Sequence, residues 1–226
     1  MAIRKTQGIG AALSLALLAA CAQAPTPAWR SEAHSALGRY ENLFMRGEIR
    51  LAQLNFERAL KEVSATGDFT QVNRVQLARC ALETGVLEFT PCPGYHAQAA
   101  DPAQQAYLRF LGGSWSDDDV ALLPVQYRKF AATARQSAQP VNQTIAEIAS
   151  PLSRLVAVGV AVERRQFDGA TLELATDTAS REGWRRPLLV YLGQLKTIAE
   201  AKGDMEKARQ LQERLDLVLD SLKDER

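Results

Sequence analysis

From Trp29 to the C-terminus the apolar residues of this chain return at every third or fourth position, and stretches that alternate apolar with polar side chains are scarce. Spacing of that kind gathers apolar side chains on one face of a helix and scatters them over both faces of a strand. Trp29, Ala33, Ala36, Leu37, Tyr40, Leu43 and Phe44 predict a first helix closed by Gly47. Ile49, Ala52, Phe56, Ala59, Leu60 and Val63 predict a second, ending at "SATGD". With so short a connector around Gly47, the two must fold back on each other as an antiparallel hairpin. The expected fold class is all-α.

The rest of the chain keeps the same period. Val72, Val75, Ala78 and Leu82 mark a third helix stopped by Gly85, followed by the irregular "EFTPCPGYH". Asp101 then Pro102 gives a capping side chain and a first-turn proline, for a helix with Tyr107, Leu108 and Leu111 that ends at Gly112-Gly113. Ser116, followed by Asp117, Asp118 and Asp119, opens another through Val120, Leu123, Tyr127 and Phe130, with an early kink expected at Pro124. After "SAQPVNQ" comes a short helix. Ser150-Pro151 then caps an apolar helix containing Leu152, Leu155, Val156 and Val160, and "FDGATLELATDTA", "PLLVYLGQLKTIAEA" and "MEKARQLQERLDLVLDSL" complete the helical set.

In "GEIRLAQLNFERAL", Gly47, Ala52, Phe56, Ala59 and Leu60 sit at the offsets of the second helix of a tetratricopeptide repeat, which this segment resembles. Partial matches follow at Phe167, Ala170 and Leu174, and at Gly203, Asp204, Met205 and Ala208 behind the apolar helix from Leu188 to Ala201. Residues 85 to 151 fit no repeat, and the family's tryptophan and glycine positions in the first unit hold Ala36 and Tyr40. Two arrangements stay open: hairpins stacked as a tetratricopeptide-like solenoid, or an irregular helical bundle. The resemblance implies a concave surface that binds a protein or peptide, and no chemistry.

The first residues carry a different message. Arg4 and Lys5 precede an almost uncharged run from Gly8 through Ala20, the order of a secretory signal, and the run is short of the roughly 20 apolar residues a spanning helix needs. Leu18, Ala19, Ala20 and Cys21 resemble the lipobox of bacterial lipoproteins. That resemblance implies cleavage before Cys21, a diacylglycerol on its thiol and an acyl chain such as palmitate on its new amino group. Several acyl chains hold a protein on a membrane where one alone binds marginally. Ala22, where an aspartate tends to retain such proteins in the inner membrane, points by the same resemblance to the outer membrane, facing the periplasm. The expected organisation is a signal peptide over 1–20, a lipidated tether over 21–28 stiffened by Pro25 and Pro27, and one helical domain over 29–226.

Charge and cysteines narrow the function. Of 27 basic and 26 acidic residues the leader takes two basic ones, leaving 25 against 26. A near-neutral domain lacks the basic footprint of a nucleic-acid partner. An exported chain meets an oxidising compartment, so Cys80 and Cys92 are expected to form a disulfide, which adds about 3 kcal/mol in the chain-entropy model. A redox or metal pair calls for closer spacing or added histidines, and only His34 and His96 are present, neither with an evident partner. Phosphate-loop, zinc-protease, C-x-x-C and serine-hydrolase motifs do not occur. No cofactor, metal or catalytic residue is expected. Asp117, Asp118 and Asp119 could supply acids to a glycan hydrolase, but acids in a first helical turn are explained by the helix dipole. "REGWRRP" clusters Trp184, Arg185 and Arg186 in a predicted loop, a composition common at binding hot spots, although the ring could equally pack under the next helix. The sequence therefore predicts an outer-membrane lipoprotein whose helical domain is a non-catalytic scaffold for another envelope protein. The alternatives are an enzyme acting on peptidoglycan or another glycan, and a carrier with an apolar hollow between its helices.

Overall fold

The computed structural model describes residues 27–222; the leader, Cys21 and most of its tether lie outside the described residues. Eleven α-helices and one 3-10 turn make up the described elements, with no strand among them. α1 (Ala28–Arg46) and α2 (Ile49–Ser64) are joined by Gly47 and Glu48 alone. Gly47 adopts a left-handed φ of 86° and donates to the Leu43 and Phe44 carbonyls, closing α1 where a side-chained residue would be strained. Buried Ala33, Ala36, Tyr40 and Phe44 of α1 meet buried Ala52, Phe56, Ala59 and Val63 of α2. The small alanines let the helices approach, and the Tyr40 and Phe56 rings fill the seam with centroids 5.2 Å apart.

Two helices form the centre. α8 (Pro151–Glu163) is buried at every position from Leu155 to Ala161, and α3 (Phe69–Gly85) is buried around most of its circumference. A helix that is apolar on all sides must be surrounded by others. The pair crosses where glycine permits. A Cβ added to Gly159 would sit 2.0 Å from the Thr84 carbonyl oxygen, and one on Gly85 3.5 Å from the Val156 nitrogen.

Around this crossing lie the α1–α2 hairpin, the group α4 (Pro102–Leu111), α5 (Asp117–Leu122), α6 (Val125–Gln136) and α7 (Asn142–Ala146), and the run α9 (Gly169–Arg181), α10 (Arg185–Ala201) and α11 (Met205–Asp220). α10 also packs on α1. The Tyr191 hydroxyl of α10 donates to the Gly85 carbonyl at 2.8 Å. The helical set thus closes on itself.

Sequence-derived caps hold at Asp101, Ser116 and Ser150, each of whose side chains accepts from a first-turn backbone N–H. Three expectations are corrected, two of them in part. The helix expected to kink at Pro124 is two helices: the proline pushes Leu123 to an extended ψ of 154°, because its ring clashes with a helical predecessor, and α6 starts after it. The "REGWRRP" segment is only in part a loop: Glu182, Gly183 and Trp184 connect α9 to α10, with Trp184 at the cap, whereas Arg185 and Arg186 already lie in the first turn of α10 with Pro187, where the missing N–H is not needed. The partial repeat match at Phe167, Ala170 and Leu174 holds only in part: Phe167 and Leu174 pack against the core, and Ala170 does not. Asp168 and Thr171 form a capping box that begins α9 at Gly169, so Phe167 precedes the helix and Ala170 is exposed. The buried face is Thr171, Leu172, Ala175 and Ala179.

Candidate functional site

The break at Leu123-Pro124 has a second effect, on the surface beside it. α5 and α6 turn away from each other, and an open groove of about 620 Å³ lies between α1 on one side and α4, α5 and α6 on the other, with α3 and α8 beneath. Its lining is mainly apolar: Leu37 from α1, Leu77 and Leu82 from α3, Leu122 and Leu123 beside the break, and Leu152 and Val156 from α8. The volume falls in the range of ligand-binding clefts.

Polar groups gather along it in a defined pattern. The Tyr107 and Tyr127 rings stack with centroids 5.9 Å apart. Behind them Phe110, Trp115 and Phe130 form an aromatic block, with the Arg164 guanidinium 4.4 Å from the Trp115 centroid. The Tyr127 hydroxyl interacts with those of Tyr107 and Ser153. Burial drives both tyrosines above the usual phenol value, and the Glu41 charge pushes Tyr127 further up. They act at neutral pH as protonated hydrogen-bonding groups. Burial also raises the Glu41 carboxyl above its ordinary 4.5. No cation offsets that rise.

Other charged residues lining the groove have partners. Arg128 Nε donates to the Leu123 carbonyl at 2.8 Å, Arg74 Nη1 to the Gln71 side chain at 3.3 Å, and Asp101 caps α4 through the Gln104 N–H at 2.7 Å. Asn73 accepts from the His96 backbone N–H at 2.8 Å and donates to its carbonyl at 3.0 Å, tying the segment before α4 to α3. His34 is exposed.

Asp117 and Asp119 of α5 are engaged elsewhere. Asp119 pairs with Arg109 through two hydrogen bonds and closes a capping box with Ser116, and the guanidinium holds its carboxyl well below the ordinary value. Asp117 pairs with Arg135, which lowers its carboxyl too. Cys80 and Cys92 are joined in a disulfide, with Cα atoms 5.7 Å apart. It fastens the 86–96 segment to α3. Trp184 is half-buried against the core, Arg185 Nε donates to the Arg46 carbonyl at 3.2 Å, and Arg186 pairs with Glu88 while its guanidinium lies 3.9 Å from the Phe44 centroid. Arg185 and Arg186 join α10 to α1, and Arg186 also ties it to the segment after α3. None of the three reaches the groove lining. Cys21 lies outside the described residues.

Sequence reasoning missed Glu41, Tyr107, Tyr127 and Ser153 as a group, because it assigned the tyrosines to the core. One signal was available: Glu41 stands one turn after Leu37, an acid on the edge of an apolar stripe. Among the described residues no helix is long and apolar enough to cross a membrane, and no cluster of three potential metal ligands forms. No family model, curated protein or solved structure matches the chain.

Proposed function

We propose that this chain is an outer-membrane lipoprotein, anchored through acylated Cys21 and facing the periplasm, whose helical domain serves as a non-catalytic docking scaffold for another envelope protein. The observation that carries the docking half is the apolar groove between α1 and α4–α6, open to solvent and backed by rigid helices. Helical segments bind by laying apolar side chains into such grooves. The anchor half rests on the Leu18–Cys21 motif. The α1–α2 hairpin, with its Ala52, Phe56 and Ala59 packing, is the part of the fold that supports kinship with tetratricopeptide repeats.

We favour the groove over Trp184, Arg185 and Arg186 as the docking surface, since both arginines already bond within the chain and the Trp184 ring packs against the core. The volume of the groove also suits a small apolar molecule, which keeps the carrier reading as the second choice. Two experiments test the proposal. Metabolic labelling with a fatty acid should mark the wild type and not Cys21→Ser; equal incorporation rejects the anchor. In-cell cross-linking followed by mass spectrometry should capture a protein whose yield falls when Ala103→Trp fills the groove from its exposed wall. An unchanged yield rejects the groove as the docking surface.

A further inference from the structure

The walls of the groove are mainly apolar, and one half-buried charge in its lining has no partner within the chain among the described residues. Among the described residues, Arg128 and Arg74 are exposed and donate to a backbone carbonyl and a glutamine side chain, Asp101 caps α4, and Glu41 has neither hydrogen bond nor ion pair. It stands half-buried on α1, near enough to the Tyr127 hydroxyl to act on it electrostatically. A desolvated carboxylate without a partner is an unfavourable arrangement in an empty site, and it turns favourable when a guest supplies the missing cation.

We propose that the groove receives an apolar segment of a partner protein bearing a single lysine or arginine, whose cationic head pairs with Glu41 while the neighbouring side chains rest on Leu37, Leu122 and Leu152, the lining leucines that are not fully buried. The inference rests on the groove being the docking surface. Charge selects the guest. An acidic head placed at Glu41 meets repulsion that the exposed and hydrated Arg74 and Arg128 offset little, and a neutral one leaves a half-buried carboxylate unpaired or forces it to take up a proton. A segment with many basic residues is excluded as well, because Arg74 and Arg128 belong to the same lining. What remains is a mainly apolar stretch with one positive charge. The long stem of a lysine or arginine lies along apolar walls and carries its head to a polar spot.

The test uses the purified full-length protein and three short leucine-rich helical peptides, identical except for one central lysine, glutamine or glutamate. Binding is read by fluorescence anisotropy of labelled peptide. The lysine peptide should bind about tenfold tighter than the glutamine one, as one charge-assisted hydrogen bond in a desolvated site allows. The glutamate peptide should bind weakest. Glu41→Gln should erase this ranking, bringing the glutamine and glutamate peptides toward the affinity of the lysine one, with circular dichroism confirming the fold. Equal binding of all three peptides, abolished by Ala103→Trp, overturns the cation pairing and keeps the groove as a docking surface. A lysine preference that survives Glu41→Gln also overturns the pairing. Binding that ignores Ala103→Trp, or no binding by any peptide, overturns both the pairing and the groove reading.

Discussion

Glu41 and Asp119 respond to their surroundings in opposite ways, and each leaves a signature in the pH dependence of stability. Burial raises the folded-state pKa of Glu41, so the protonated form is the better tolerated one. Its contribution is fully present below the ordinary value of 4.5 and is lost as pH rises through the raised value. Glu41→Gln is therefore expected to melt no lower than the wild type at neutral pH, with the difference closing in acid; a clear destabilisation at neutral pH would show that the carboxylate has a structural partner. Asp119 behaves in reverse. The Arg109 guanidinium depresses its pKa, so its stabilisation is present above the ordinary 3.8 and is lost as pH falls toward the depressed value. Asp119→Ala should cost about 1 to 2 kcal/mol at neutral pH, chiefly the lost cap of α5, and less in strong acid. Denaturant titrations at two pH values measure both effects.

At the level of helices, the crossing of α3 on α8 is the contact least tolerant of change. Gly159→Ala places a methyl group against the Thr84 carbonyl, which cannot move without breaking the end of α3. A loss of about 1 to 3 kcal/mol or more is expected, read from the denaturant midpoint; a stability equal to wild type would mean that the helices slide apart freely. Much of the helical layout was legible because local chemistry sets it. Asp101, Ser116 and Ser150 cap their helices through their own neighbours, and Gly47 ends α1 through its own φ. Where two local signals competed, the outcome was less legible. At Pro124 the apolar period ran on while the backbone could not, and at Asp168 a capping box overrode part of a repeat-like spacing. The groove could not be read at all. It forms from residues of six helices, and Tyr107 or Tyr127 looks the same in sequence whether its ring is sealed in a core or lines a cleft.

For the molecule as a whole, the contact of α10 with α1 separates this architecture from an open array of hairpins. In a linear array each unit touches only its neighbours, and removing the last units leaves the others folded. Here Arg185 bonds Arg46 across 139 residues, and Tyr191 bonds Gly85 across 106. A chain ending after Glu182 is expected to lose cooperative melting throughout, including α1 and α2, as followed by far-ultraviolet circular dichroism. Retention of a sharp transition would show that the hairpins stand independently. The same seam bears on the order of assembly. Chains are made from the N-terminus, so α1 exists long before the helix that covers Phe44 and bonds the Arg46 carbonyl. Until α10 arrives that edge is bare and open to wrong pairings, and the closing step must wait for a long loop to find its ends. Contacts so distant in sequence slow folding relative to helical proteins built from local ones. The time between synthesis and closure is when this chain is most exposed to aggregation and proteolysis, and when a holding chaperone would act.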